Sequence, residues 1–316
     1  MDLPPLVRVP ELVVHGASRA DIRRSTAGLQ RVAAGVYADT TDRGPEEVHV
    51  IRTRAQLGRL TNVVASHTTA AVLWELRVPR SRLSTVHVSP VSERLGKPKR
   101  TRGYHVHDLI VPEHESVELD GIPATSPVRT VLDCARLLDR DFDWAVAAAD
   151  SGLHRGLFLT NDLSHAAAGV HTLRGAARAR SLPALCSALA ESPGESLLRL
   201  RLQRMGLAVV EQYSMPHVEG NPRVDFLVEG RLVVEFDGEG KYEIDGNPAR
   251  AHWAEKLRHD RIVEAGHPVV HVTWAHLWDE NALSRRVHRA LRQAQTLAPA
   301  PDPPVRFRPS RPDRRV

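Results

Sequence analysis

Two apolar runs, RVDFLV (223–228) and LVVEFD (232–237), are separated by three residues, Glu229-Gly230-Arg231, and both runs carry carboxylates. Runs this short and this rich in Val, Leu and Phe read as strands of a buried hairpin. A carboxylate in such a strand must be paired, protonated or metal-bound, because leaving it charged in a low dielectric is costly. Register decides whether the acids meet. A two-residue loop at Glu229-Gly230 pairs Asp225 with Val234 and sends Glu235 to the opposite face. A three-residue loop pairs Val228 with Leu232 and sets Asp225 opposite Glu235. The second register segregates the hairpin cleanly. Val224, Phe226, Val228, Leu232, Val234 and Phe236 share one face, and Asp225, Glu235 and Asp237 share the other, so the three-residue loop is expected.

Composition narrows the setting. The apolar fraction of 42% over 316 residues is enough for real cores and points to two or three domains. No run approaches the ~18 apolar residues of a membrane span, and the first residues lack the layout of a secretory signal. Cys134 and Cys186 have no CxxC or Cys/His neighbour, so they read as buried thiols of a cytoplasmic protein. The formal charge is +5, and only four of the 43 basic residues are lysine: Lys97, Lys99, Lys241 and Lys256. Where arginine is the default cation, a lysine is the unusual choice, and its compact ammonium has a tunable pKa.

The expected fold class is α/β, in five segments. Residues 1–45 hold a short helix, SRADIRRSTAG, capped by Ser18 with Asp21 three residues on, then LQRVAAGVYA as strand. Residues 46–135 form a mixed α+β block: EEVHVIRT, STVHVSP and YHVHDLIV read as strands, HTTAAVLWEL as a helix, and Pro127 opens another helix. Alanine-rich helices over 136–190 read as a connector. Residues 191–295 alternate helix and strand as an α/β domain, ending in one helix over AHLWDENALSRRVHRALRQAQ. Residues 296–316, with six prolines from 297 onward, read as a disordered basic tail.

Three carboxylates on one face of a hairpin form a hard oxygen site suited to Mg²⁺ or Mn²⁺. Glu195, at a helix start after Pro193-Gly194, can join them. Lys241, four residues beyond the second strand, can offset charge on a phosphorane-like transition state. The succession SPGESLLRLRLQRMGL…RVDFLV…RLVVEFDGEGKY…WAEKLRHDRIVEAGHPVVHVTW resembles the PD-(D/E)xK restriction-endonuclease superfamily, and within it a group related to very-short-patch-repair endonucleases. The resemblance covers residues 192 to about 280 and implies a restriction-endonuclease-like domain. It implies Asp225 and Glu235 as metal ligands, with Glu195 as a supporting acid. On the nuclease reading Glu195, Asp225 and Glu235 hold the ion, Asp237 orients water and Lys241 offsets developing charge, which makes Asp225, Glu235, Asp237 and Lys241 the candidate catalytic groups. Glu255, Arg258 and Asp260 match the charged helix that follows. The superfamily's lysine belongs two residues after the strand glutamate, where this chain has Asp237, so Lys241 or Lys256 would have to take its role. The alternative is that Asp225 and Glu235 pair with Arg258 or Arg223 in a buried ion network.

In the N-terminal half, Arg19, Arg23 and Arg24 lie on one short helix and Arg31 starts the next strand, a helix-then-hairpin arrangement suited to DNA. Residues 11–38 resemble the end of the winged-helix domain of AbiEi-type antitoxins, although AAGVYA stands where that family has an RGVYA-like ending and little chain precedes it. The middle block resembles the same antitoxin-like proteins. The loop RLGKPKRTR (94–102) holds five cations, and Lys97, Lys99, Arg100 and Arg102 are its candidate phosphate contacts. His105 and His107 share a strand face, but with no third ligand in the local sequence they read as a hydrogen-bonded pair. The expected function is a DNA-binding protein with a metal-dependent endonuclease-like domain. The alternative is an AbiEi-type antitoxin or regulator in which the nuclease fold is a scaffold, and a toxin or antitoxin protein is a candidate partner.

Overall fold

The computed structural model describes residues 3–92, 99–101, 103–171, 174–238 and 248–296. Lys97, Arg102, Lys241 and the tail from 297 lie outside them. The chain is mixed α/β and divides into two compact units, Met1–Ala188 and Leu189–Val316. Among the described residues no helix is long and apolar enough to cross a membrane.

The first unit opens with β1 (Val7–Arg8), α1 (Val9–Val14) and α2 (Arg19–Thr26), followed by the hairpin β2 (Gln30–Ala33) and β3 (Val36–Ala38). These strands form a small sheet in the order β1-β3-β2. The expected capping box forms: Asp21 N–H donates to Ser18 Oγ at 3.2 Å, and Ser18 N–H donates to Asp21 Oδ2 at 2.9 Å. EEVHVIRT is not a strand but part of α3 (Pro45–Leu57). Pro45 sets the first helical φ, and the Glu47 carboxylate accepts from Gly44 N–H at 3.0 Å. The apparent two-residue alternation conceals helical spacing that buries Val50, Ile51 and Ala55.

A six-stranded mixed sheet follows. It is built from β4 (Val63–Ala65), β5 (Val86–Pro90), β6 (Lys99–Arg100), β7 (Tyr104–Val106), β8 (Ser116–Leu119) and β9 (Ile122–Thr125), in the order β6-β7-β5-β4-β9-β8. Helix α4 (His67–Leu73) leaves β4 directly, and the Trp74 indole N–H beyond it donates to the Thr125 carbonyl at 2.8 Å. Four more helices complete the unit: α5 (Pro127–Leu137), α6 (Phe142–His154), α7 (Thr160–Ala168) and α8 (Ala176–Ser181). Helix α6 is packed inside it, with Ala145 through Ala149 at most 1% exposed.

The second unit runs α9 (Pro193–Arg204), β10 (Val209–Ser214), β11 (Arg223–Val228), β12 (Leu232–Asp237), α10 (Pro248–Glu264), β13 (Val269–Thr273), α11 (Trp274–Trp278) and α12 (Glu280–Thr296). The single terminal helix expected from sequence is thus two, because Asp279 leaves the helical region at φ −112°, ψ 83°. The sheet order is β10-β11-β12-β13, antiparallel except for the parallel β12–β13 pair. Val228 pairs with Leu232, so the hairpin takes the three-residue loop, with Glu229 and Gly230 both left-handed. Helix α10 sets Ile262 into one cluster with Leu227 and Val233. Helix α12 buries Leu283, Val287, Ala290, Leu291 and Ala294, an apolar stripe that packs toward β12 and β13.

Candidate functional site

The hairpin ladder runs to the pair Phe226–Val234, and its register continued by one residue sets Asp225 across from Glu235. On one side Gln212 of β10 stands opposite Asp225, between the pairs Glu211–Phe226 and Tyr213–Val224. On the other side Glu235 pairs with His271 of β13. One polar row, Gln212, Asp225, Glu235 and His271, therefore crosses all four strands of the sheet. Asp225 Oδ2 accepts from the Phe236 backbone N–H at 2.8 Å, so the acid takes a donor that the ladder would otherwise use.

Glu195 enters from α9. Ser192 caps that helix by accepting from Glu195 N–H at 3.2 Å, and Glu195 Oε2 accepts from Glu191 N–H at 3.0 Å and Gln212 Nε2 at 2.9 Å. Gly194 makes this approach possible, because a Cβ there would lie 2.0 Å from Phe236 Cε1. Burial raises the pKa of both Glu195 and Glu235, and the charge of Asp225 pushes each further up. For Glu235, the Arg258 guanidinium works in the opposite direction.

Arg258 lies one turn before Ile262 on α10, and its Nη2 reaches Glu235 Oε1 at 2.8 Å and Oε2 at 2.9 Å. The same guanidinium holds Glu255, at 2.6 Å, and donates to the Arg223 carbonyl at 3.4 Å. These carboxylates raise the Arg258 pKa above its ordinary value, so it remains a cation. Arg223 itself pairs with Glu191 at 2.7 Å. Asp237 lies 3.1 Å from His271 Nδ1, and the His271 ring stacks at 5.8 Å on His259 of α10.

Glu195, Asp225, Glu235 and Asp237 are thus gathered around one end of the sheet, with Arg258 bound to Glu235. Lys256 is not with them: its Nζ sits 5.5 Å over the Trp253 ring. Asp260 lies outward, 3.7 Å from His259. Gln212 and His271 are site residues that sequence reasoning missed. For His271 a signal existed, since it is the one polar side chain between Val270 and Val272, on the opposite strand face. Gln212 is placed by a left-handed backbone at φ +47°, which its sequence context does not announce.

A divalent ion would meet a fitting donor set, all hard carboxylate oxygen, in which Glu195 and Glu235 are raised by burial first and by the charge of Asp225 second. The acids are not drawn as tightly as a three-ligand cage. Among the described residues, three donor atoms lie mutually within 4.8 Å only at His87, His105 and His107. The expectation that the His105–His107 pair lacks a third ligand is corrected here, because β5 and β7 pair in parallel and align His87 with His105.

Of the basic candidates, Arg19 and Arg23 are exposed on α2, whose residues are all outside the core. Arg24 is drawn to Asp21, and Arg31 Nε donates to the Ala33 carbonyl at 3.3 Å. Arg100 is exposed on β6, where Lys99 pairs with Val106 of β7. Comparisons with protein-family models, with curated proteins and with solved structures found no match.

Proposed function

We propose that the second unit is a Mg²⁺- or Mn²⁺-dependent endonuclease-type domain acting on phosphodiester bonds, in a chain whose first unit contacts DNA. The observation that carries this reading is the convergence of Glu195, Asp225 and Glu235 from three separate elements, with both glutamates raised in pKa by burial and by Asp225. Such crowding costs stability, and a bound cation relieves it. Asp225 and Glu195 would hold the ion, and Glu235 would join on release from Arg258. The ion would supply polarisation of the phosphodiester and acidification of a water. Arg258, always charged, is placed to exchange Glu235 for a phosphate oxygen. Asp237, paired with His271, would orient water, and Lys241 is the proposed charge-offsetting cation. On the first unit, the exposed Arg19 and Arg23 are proposed as the phosphate-contacting face of a reduced winged helix.

A second reading is favoured by the Arg258–Glu235 ion pair itself. In it the unit is a non-catalytic scaffold of an AbiEi-type regulator or antitoxin, with a toxin or antitoxin protein as partner. The test is incubation of the purified chain with supercoiled DNA and Mg²⁺ or Mn²⁺, alongside Asp225→Asn. Nicking by the wild type and none by a folded Asp225→Asn supports the nuclease. Equal nicking by both sinks the site assignment, and DNA binding with no nicking in either metal favours the scaffold.

A further inference from the structure

We propose that His87, His105 and His107 form a binding site in the first unit for a borderline divalent transition metal, Zn²⁺ foremost. The donor atoms of the three imidazoles lie within 4.8 Å of one another. The parallel register of β5 and β7 pairs His87 with His105, and His107 follows two residues on, its backbone N–H donating to the Val88 carbonyl at 2.8 Å. His87 Nδ1 and His107 Nε2 are 2.8 Å apart, and the His105 and His107 ring centres are 4.1 Å apart.

The surroundings are built around these rings. The His87 backbone N–H donates to Thr69 Oγ1 at 2.8 Å, and that hydroxyl lies 3.0 Å from Nε2 of the buried His49, whose Nδ1 reaches the Leu83 carbonyl at 2.8 Å. His67 stacks on His107 at 3.6 Å and is anchored by Ser66 Oγ at 2.9 Å. To occupy that place it takes φ +52° at the first residue of α4, a left-handed backbone that costs a non-glycine residue energy. A hydrogen bond between His87 and His107 accounts for two rings and leaves the third donor unexplained. Among the described residues, His105 has no hydrogen bond from either ring nitrogen.

The protonation state suits a ligand. Burial pushes His87 down to about 3 and lowers His67, His105 and His107 as well, so the rings are neutral near pH 7 with lone pairs available. Neighbouring guanidiniums that would repel a cation are largely compensated. Arg82 pairs with Asp141, and Arg129 and Arg136 both pair with the buried Asp133. Arg100 stays exposed, across from His105 in the β6–β7 register.

Three neutral nitrogens with no carboxylate disfavour Mg²⁺ and Ca²⁺ and select Zn²⁺, Ni²⁺ or Cu²⁺. With Zn–N bonds near 2.0–2.1 Å, tetrahedral ligand nitrogens sit about 3.3 Å apart. His87 and His107 must therefore separate by about half an ångström, while His105 turns inward. The proton between them moves to a ring nitrogen facing away from the ion, so no proton is released. Three protein ligands leave a fourth position for water, and the half-buried His105 puts it within reach of solvent.

The test uses the full chain, purified without a histidine tag and stripped of metal, titrated with Zn²⁺ against a chromophoric chelator and separately with Co²⁺. One tight equivalent of Zn²⁺ and the intense visible bands of tetrahedral Co²⁺ are expected. His105→Ala, at the least buried of the three rings, should weaken Zn²⁺ by about tenfold or more and alter those bands. Asp225→Asn should leave both unchanged, which separates this site from the carboxylates of the second unit. The absence of a tight equivalent in the wild type, or identical binding by His105→Ala, overturns the proposal. His107→Gln should likewise weaken Zn²⁺; should it fail to fold, the wild-type Co²⁺ spectrum and His105→Ala decide between these outcomes.

Discussion

The Arg258 guanidinium spans two carboxylates, Glu235 on the sheet and Glu255 on its own helix, and it reaches both oxygens of Glu235 through a single nitrogen. Glu235 is 8% exposed at its side chain and Arg258 is 28% exposed, so the pair is only partly screened by water. Removing the cation strands a buried carboxylate, whereas removing the acid leaves Arg258 with Glu255. Arg258→Ala should therefore cost more than Glu235→Gln, on the order of 1–3 kcal/mol against 1 or less. Urea unfolding of the two variants at pH 7 gives the comparison. A larger loss for Glu235→Gln would refute this account of the pair.

The raised carboxyls give a pH dependence of definite sign. Glu195 and Glu235 have folded pKa values above the ordinary 4.5, so the native state holds their protons more tightly than the unfolded chain does. Their contribution is fully present below that ordinary value and is lost as pH rises through the folded values. Glu195→Gln keeps the shape and removes part of this loss. The expected outcome is a flatter stability profile between pH 4.5 and neutrality than in the wild type. A steeper profile would contradict it. If Mg²⁺ or Mn²⁺ occupies the site, adding it should raise the wild-type Tm more than that of Asp225→Asn.

Gly194 tests how α9 reaches the sheet. A methyl group there collides with the Phe236 ring, which is 3% exposed and packs edge-on against Trp274 at 5.1 Å. Gly194→Ala should destabilise by about 1–3 kcal/mol through overpacking. It should also shift Glu195 away from Gln212, lowering any metal-dependent nicking further than stability explains. Denaturation and activity of the variant, measured together, check both effects.

Asp133 is 1% exposed and paired on both sides, with Arg129 Nε at 2.8 Å and Arg136 Nη1 at 2.9 Å. Asp133→Asn leaves Arg129 with Glu115 alone and removes the carboxylate partner of Arg136 inside the first unit. The expected loss is about 3 kcal/mol or more, seen as a lower denaturant midpoint for that unit. A loss below about 1 kcal/mol would mean that the triad relaxes to solvent.

Arg19 and Arg23 stand four residues apart on α2, exposed on a helix that buries nothing. If they contact phosphates, the double change to Gln should weaken DNA binding. It should also reduce the slope of log K against log salt by about 0.9 for each phosphate that is no longer neutralised. An unchanged slope in a salt titration by fluorescence anisotropy removes them from the interface.

The second unit was largely readable because its decisive features are local in the chain. The Asp225–Glu235 pairing follows from a three-residue loop and an alternating pattern, and Glu195 stands at a helix start that Pro193-Gly194 announces. As an ion-pair partner of the acids, Arg258 stood in sequence beside Arg223 as one of two candidates, because three-dimensional packing of Ile262 on Leu227 and Val233 decides which helix face meets the acids. In the first unit, EEVHVIRT misled because four β-branched residues, Val48, Val50, Ile51 and Thr53, imitate a strand. The outcome was set by Pro45, by the Glu47 cap and by the burial available to Val50 and Ile51.

Sequence alone determined which residues share a face: the acids of the hairpin on one side, and His105 with His107 on one side of the extended run YHVH. Those are consequences of the two-residue period of a strand, joined for the hairpin by the length of its loop, and they hold wherever the hairpin or the strand lies. Tertiary structure decided which faces meet. His87 joins His105 through a parallel pairing that no short turn can enforce, and Gln212 and His271 join the acids only when four strands stand in register. Neighbours along a strand are set by covalent geometry, but neighbours across a sheet are set by the competition of all strands for buried partners.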